Sequence, residues 1–404
     1  MKDDLIQHDV GVAFRYPVHF TDGVLDVSNP CLREVIAGRA DYLPAKVAVV
    51  ADHGLLDGHP DLSEQVERYC RHHEDVLRLM APVLVVPGGE RVKNEWRYVL
   101  DILRVMNEAT LCRHSYVVVI GGGAVLDVVG FAAAMAHRGI RLVRVPTTVL
   151  SQDDSAIGVK NGINAFEKKN YLGTFAPPFA VINDLRFLPT LEDRDWRGGI
   201  SEAIKVGLIR DASFFDFIEA HAGRLKGRDL VVMERLVRRS AELHYAHIAT
   251  CGDPFELGSS RPLDYGHWAA HKLEHLTDYR LRHGEAVAIG IALDTTYAWL
   301  SGFLAERDWR RVMDVLLALG LSVYTPELSQ HLEKDSDPRN VLRGLTEFQE
   351  HLGGRLTIMM LTAIGEPFDV HEIRRDDMIR SIEVLREIAG SEATPGVGVR
   401  TSLR

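Results

Sequence analysis

Ser115-Tyr-Val-Val-Val-Ile-Gly-Gly-Gly-Ala-Val-Leu-Asp127 is a short β-branched run that ends in three glycines and passes into an apolar helical pattern. A strand running straight into glycines and a helix is how an α/β unit begins. Residues without side chains let the backbone turn sharply and approach a pyrophosphate at the helix N-terminus, where free N–H groups and the dipole favour anions. The spacing is not G-x-G-x-x-G, so a tight structural turn explains the stretch as well as a nucleotide-binding one does.

Working outward, Lys46–Ala51, Ala81–Val86 and Arg141–Val145 also read as strands, each bounded by Gly, Pro or Asp. Asp61–Leu79 and Lys93–Asn107 between them have helical spacing. Strand and helix in alternation predict a parallel sheet covered on both faces. The strand before the first helix ends at Asp52, a candidate acceptor for a ribose hydroxyl. The loop Pro87-Gly-Gly-Glu-Arg-Val-Lys93 brings Glu90 and Lys93 to another strand end. Three such loops favour a dinucleotide. Beyond about residue 195 the texture changes, and Leu230–Ile248, Arg261–Leu276, Ala286–Ser301 and Asp308–Leu319 read helical, with a late strand at Leu356–Leu361. The expected plan is therefore α/β: a Rossmann-like parallel-sheet domain at 1–195, a mostly α-helical domain at 196–390, and a small, polar, flexible tail at 391–404. The cleft between the domains is the default site.

With 404 residues, 46% of them hydrophobic, the chain can bury two cores. Its formal charge of −10 argues against a nucleic-acid surface, though not against an anionic substrate, because local clusters set the field in a cleft. Cys31, Cys70, Cys112 and Cys251 are far apart and form no Cys-x-x-Cys pair, which fits a reduced compartment. No apolar signal region opens the chain and no stretch approaches a membrane span. A soluble, cytoplasmic protein is expected.

Two further groups point to chemistry. His267 and His271, four apart, share one helix face, and His283 follows in His-Gly-Glu-Ala. With Glu202 upstream and no cysteine, these are the ligand types of a catalytic zinc or cobalt site. Surface or capping histidines are the plainer explanation in a chain with 18 of them. Lys160, Lys169 and Asn170 lie in a Gly-rich stretch that would suit a phosphate, or would form a solvated basic loop. Glu202 and Lys205 are one helical turn apart; a surface ion pair is the common reason, but their apolar flanks favour a site carboxylate.

These residues resemble the sugar phosphate cyclases, the superfamily of 3-dehydroquinate synthase, over nearly the whole chain. The matching motifs are Pro87-Gly-Gly-Glu-x-x-Lys93, Gly121-Gly-Gly-x-x-x-Asp127, His137-Arg-Gly139, Pro146-Thr-Thr148, Asp154-Ser-x-Ile-Gly-x-Lys160, Lys169-Asn170, Glu202-x-x-Lys205-x-Gly207, Gly266-His267-x-x-x-His271 and His283-Gly-Glu285. The resemblance implies bound NAD, one divalent metal (zinc or cobalt) and a homodimer. It puts Glu202, His267 and His283 at metal-ligand positions. Asp52, Glu90, Lys93, Gly122, Gly123, Asp127, Thr147, Thr148, Lys169 and Thr190 take NAD positions. Asp154, Lys160, Lys169, Asn170, Lys205 and His271 line the substrate site, and Arg138 reaches the neighbouring subunit's phosphate. The implied chemistry is transient oxidation by NAD, elimination of phosphate, return of the hydride, ring opening and an intramolecular aldol closure.

Departures from the synthase pattern bear on the substrate. The positions that hold a substrate carboxylate fall, without gaps, on Ala246 and Ser260; a one-residue gap would offer His247 and Arg261 instead. Asp264 replaces an asparagine and His351 a lysine, so cations are lost and a carboxylate is gained. An unpaired substrate carboxylate beside Asp264 would be costly. Sedoheptulose 7-phosphate, cyclised to a valiolone-type C7 cyclitol, is therefore favoured. The alternative is 3-dehydroquinate synthase acting on the carboxylated heptulosonate 7-phosphate. A metal-dependent alcohol dehydrogenase and a regulator without activity are weaker rivals, because Lys160, Lys169 and Lys205 favour a phosphorylated substrate and every site position holds a competent residue.

Overall fold

A computed structural model describes residues 6–392 apart from 167, 256, 257 and 259. The first half supplies helices α1 (Cys31–Ala37), α2 (Leu62–His72), α3 (Trp96–Glu108) and α4 (Gly123–Met135). Its strands are β1 (Val18–Thr21), β2 (Ala45–Asp52), β3 (Leu77–Leu79), β4 (Leu84–Val86), β5 (Tyr116–Gly121), β6 (Arg141–Pro146), the hairpin β7 (Lys160–Ala165) and β8 (Lys168–Phe175), and β9 (Ala180–Asp184). Among the described residues seven strands form one sheet in the order β1-β9-β6-β5-β2, with β3 and β4 sharing the far edge of β2. Every pairing in it is parallel. β2 and β5 are buried along almost their full length, as a sheet covered on both faces requires. The chain builds outward from β2 in one direction through β3 and β4, then in the other through β5. The crevice at the carboxyl ends of β2 and β5 is thus a topological switch point, where α/β sheets bind ligands.

The second half is helical: α5 (Asp193–Arg210), α6 (Ala212–Lys226), α7 (Leu230–Thr250), α8 (His267–Leu276), α9 (His283–Leu300), α10 (Glu306–Ala318), α11 (Arg343–Leu352) and α12 (Arg375–Glu392), with a small hairpin of β10 (Ile358–Ala363) and β11 (Glu366–Val370). The largest apolar core lies among these helices, and two others fill the two faces of the sheet.

Several boundaries differ from expectation for identifiable reasons. The helix expected over Asp61–Leu79 stops at His72, because Leu77–Leu79 pairs instead with Ala45–Val47 as β3. The helix expected from Arg261 starts at His267: Pro262 opens a 3-10 turn, and Gly266 takes φ +78°, which ends any earlier helix. The stretch around Lys160–Asn170, expected as a loop, is the β7–β8 hairpin. Periodicity does not predict α5, since it is buried on every side from Gly198 to Ile209 and so has no amphipathic stripe to read. It starts at Asp193, three residues ahead of the expected start of the helical domain at 196. α12 extends two residues into the expected tail, and the rest of that tail lies outside the described residues.

Candidate active site

Three helices deliver the candidate metal ligands. Glu202 sits in the middle of α5, while His267 and His283 are the first residues of α8 and α9. His267 Nε2 and His283 Nε2 each lie 3.5 Å from Glu202 Oε1. One ligand atom from each of the three falls within 4.8 Å of the others. Glycines make this convergence possible. A Cβ on Gly284 would stand 2.1 Å from the Gly198 carbonyl oxygen, and one on Gly290 would stand 1.9 Å from that of Gly266. Backbone therefore touches backbone where α9 meets α5 and the start of α8. Asp294, buried in α9, accepts from the Gly266 amide at 3.0 Å and the Trp268 indole at 2.8 Å, which locks the first turn of α8.

The donor set fits a divalent cation. Glu202 is fully buried, and neither carboxylate oxygen accepts a directed hydrogen bond, although Lys205 Nζ lies 2.5 Å from Oε2 as an ion pair. Burial opposes its ionisation, but Lys205 and His267 outweigh burial and hold the carboxyl well below its usual range. Both ring Nδ1 atoms are engaged: His267 with the Tyr265 carbonyl at 3.1 Å and His283 with Glu274 at 3.1 Å. Engagement of Nδ1 turns each Nε2 toward Glu202, which is how imidazole ligands are oriented. Burial and Lys169 work against a charged His283, yet Glu274 and Glu202 prevail and push its pKa up to about 9. A pocket between two carboxylates that favours positive charge is suited to a metal ion.

Glu274 carries no motif signal of its own, although it continues the His267/His271 stripe by another turn. It accepts from Lys169 at 2.7 and 2.8 Å as well as from His283. Glu274→Gln is expected to weaken metal retention by roughly 10- to 100-fold, since it removes the anion that orients a ligand ring. Metal titration after chelation measures this, and unchanged affinity would remove Glu274 from the supporting set.

A cleft of about 980 Å³ opens in front of this cluster. Lys160, Lys169, Asn170, Lys205, Asp154, Asp264 and His271 all line it, together with His267 and His283. Asp154 is held by Lys205 at 3.5 Å and by His244 at 2.9 Å. Burial would raise its pKa, but Lys205 and His244 bring it down to about 2. His271 is kept well below its usual range by burial and then by Lys169 and His267, so it stays neutral beside the imidazole of His283. His244, one turn along α7 from His247, is another residue that local pattern does not single out.

The opposite end of the cleft is formed by strand ends. Gly122 and Gly123, Ala124 at the start of α4, Thr147, Thr148, Asp52, Glu90, Lys93 and Asp127 line it. Gly122 caps α4 without a side chain, and a Cβ on Gly123 would meet Ser155 Oγ at 2.7 Å. That hydroxyl is buried and has no hydrogen-bond partner. Bare helix-start backbone beside an unpaired hydroxyl fits a dinucleotide's pyrophosphate. Asp52 is less free than expected: it accepts from the Gly54 amide at 2.8 Å and the Gly122 amide at 3.4 Å, bracing both turns. Lys93 joins Asp127 at 2.7 Å and Glu90 at 3.6 Å, and also donates to Asn170.

Three candidates stand apart. Thr190 does not line the cleft; its hydroxyl donates to the Phe187 carbonyl at 2.8 Å and pairs with His59 at 3.2 Å. Arg138 is exposed on a left-handed turn away from the cleft, and the side chain of His351 lies outside the described residues. For the carboxylate-binding register, Ala246 and Ser260 are exposed, whereas His247 is buried and lines the cleft. Arg261 is 4.0 Å from Asp264.

Comparison with known proteins agrees with this architecture. Residues 83–198 match the 3-dehydroquinate synthase N-terminal family and residues 199–337 the 3-dehydroquinate synthase C-terminal family. The 3-dehydroquinate synthase of Nitrosospira multiformis is 37% identical over 87% of this chain and 89% of its own length. That of Dictyoglomus thermophilum is 33% identical over 78% and 86%. Among solved structures, ValA (2-epi-5-epi-valiolone synthase) from Streptomyces hygroscopicus subsp. jinggangensis, determined with NAD+ and Zn2+ bound, superposes with a TM-score of 0.82 at 27% identity, covering 95% of this chain and all of that one. The expectation of closest kinship with the sedoheptulose branch is not what these identities favour, since both curated relatives carry the synthase name. Fold, motifs and sequence identity together place the chain in the 3-dehydroquinate synthase family of the sugar phosphate cyclase superfamily.

Proposed function

We propose that this protein is an NAD- and metal-dependent cyclase that eliminates phosphate from a seven-carbon ketose phosphate and closes a carbocycle. The observation that carries the reading is the buried Glu202 carboxylate, ion-paired with Lys205 through Oε2 while its Oε1 faces two imidazole Nε2 atoms at 3.5 Å. Glu202, His267 and His283 would hold the metal and the β2–β5 crevice the dinucleotide, which when bound supply hydroxyl polarisation and a reversible hydride acceptor. The remaining chemistry belongs to the chain. Lys160 and Lys205 give the cleft cationic groups for a phosphorylated substrate, with Asp154 keeping Lys205 in place. His271, held neutral, offers a ring nitrogen to hydrogen-bond a substrate oxygen in the cleft. Burial of Glu202, Lys205 and His267 limits water access and strengthens each of these interactions. In the same reading residues 1–195 bind NAD, 196–390 carry metal and substrate, and Arg138 serves the partner's site in a cytoplasmic homodimer.

The carboxylated heptulosonate 7-phosphate is the substrate that the synthase relatives support. Sedoheptulose 7-phosphate is the second reading, supported by Asp264 in the cleft wall and by the outward position of Ala246. Phosphate release from each sugar, followed by NMR of the product, decides between them. Turnover of the heptulosonate without net NADH is expected. Turnover of sedoheptulose 7-phosphate alone reverses the choice, and steady NADH accumulation from an alcohol defeats the cyclase reading. If the heptulosonate is the substrate, His247→Ala should lower kcat/KM by about tenfold or more, the loss of a charge-assisted hydrogen bond. An unchanged value would remove His247 from carboxylate recognition.

A further inference from the structure

Arg144 occupies a place where the pattern of the sheet calls for an aliphatic residue. It lies in the middle of β6, flanked by Val119 on β5 and Val181 on β9, both fully buried. Only 1% of its surface is exposed. No carboxylate stands within ion-pair distance of it among the described residues, and burial pulls its pKa down. Burying a guanidinium without a counter-ion is costly, so something in the fold must compensate.

The compensation is a fork of four hydrogen bonds to one short segment. Nη1 donates to the Ala156 carbonyl at 2.9 Å and the Gly158 carbonyl at 2.6 Å. Nη2 donates to the Lys160 carbonyl at 3.2 Å and to Asn161 Oδ1 at 2.6 Å. The Tyr16 hydroxyl donates to the Ile157 carbonyl at 2.8 Å, and the Tyr245 hydroxyl in turn donates to the Tyr16 carbonyl at 2.6 Å. Asn161 Nδ2 passes the connection on to Ala176 at 3.1 Å. The neighbouring helix makes room for this: a Cβ on Gly130 of α4 would stand 1.8 Å from Asn161 Oδ1. The segment so gripped begins beside Asp154 and ends at Lys160, both of which line the cleft. A planar fork can satisfy several carbonyls in fixed directions, which a lysine ammonium cannot reproduce.

We propose that Arg144 is a positioning residue that sets the height of the 154–161 segment, and through it the placement of Asp154 and Lys160 at the cleft. Its role in turnover rests on the cyclase reading; its hold on the segment does not. Without the fork, the carbonyls of Ala156, Gly158 and Lys160 lose buried donors, and the segment must rise toward water to satisfy them.

The test uses the full chain with Arg144→Lys and Arg144→Gln. Hydrogen exchange in peptides spanning 154–161 should rise about tenfold or more in both, while β2 and β5 keep their protection. In parallel, Lys160→Ala is made in the wild type and in Arg144→Lys, and phosphate release is measured. If Arg144 acts through Lys160, the Lys160→Ala penalty should shrink by roughly tenfold in the Arg144→Lys background. Arg144→Lys alone is expected to lower turnover measurably without abolishing it, because geometry rather than charge is at stake. Should neither variant fold, Tyr16→Phe removes only the bond to Ile157, and should raise exchange locally by about 3-fold. Exchange that rises throughout the sheet, or not at all, overturns the proposal, and so do additive penalties. If the wild type turns over neither sugar phosphate, the cyclase reading fails while the exchange result still decides the role of Arg144.

Discussion

Glu202→Gln is expected to abolish turnover, by roughly 10³-fold or about 4 kcal/mol of barrier, while NAD titration stays within about twofold of wild type. The substitution keeps shape and burial but deletes the charge that faces His267 and His283 at 3.5 Å. A neutral carboxamide presents a donor or a weak acceptor where a cation needs an anion, so metal content should fall together with activity. The end of the cleft proposed for the dinucleotide is built from strand ends and the start of α4, none of which contacts Glu202 through a hydrogen bond, which is why cofactor binding should persist. Elemental analysis and cofactor titration on the same preparation separate the two effects. A Glu202→Gln protein that keeps its metal and its activity would remove the carboxylate from the site.

The largest stability effect is expected at a glycine. Gly290→Ala would place a methyl group 1.9 Å from the Gly266 carbonyl oxygen, a backbone atom that no rotamer change can move. Overpacking of this kind costs about 3 kcal/mol, which for domains of this size lowers Tm by roughly 6–12 °C. The strain falls on Gly266, adjacent to His267, so metal retention should weaken alongside stability. Gly223→Ala on α6 is the control: nothing stands within 4 Å of its Cβ, and alanine there should be neutral or stabilising by up to about 1 kcal/mol. Equal melting temperatures for Gly290→Ala and wild type would show that α8 and α9 can separate without penalty.

Much of the site is legible residue by residue. The β5–glycine–α4 unit, the strand ends at Asp52 and Pro87–Lys93, and the His267/His271 stripe are short-range patterns whose meaning is carried by neighbouring positions. The apolar flanks of Glu202 and Lys205 signal burial, and both are buried as an ion pair. Where expectation fails, the reason is competition from outside the local window. Leu77–Leu79 leaves its helical pattern because the edge of β2 offers parallel hydrogen bonds. α5 escapes a periodicity reading because a helix packed on all sides has no polar face. For Thr190, which matches a motif position for the cofactor, no local pattern signals that its hydroxyl meets His59 and Phe187.

Local order along the chain was enough to determine the α/β plan, the bare turn at Gly122 and Gly123, and the residue types able to bind a cation, since each depends on backbone sterics and on spacing within a few turns. Tertiary packing alone decided which groups meet: Gly198 against Gly284 and Gly266 against Gly290 bring three helices to one carboxylate, Glu274 reaches both Lys169 and His283, and Arg144 grips a segment beginning more than ten residues away. Those contacts are set by excluded volume and by the need to satisfy buried polar groups, which act through space and leave no periodic trace in the chain.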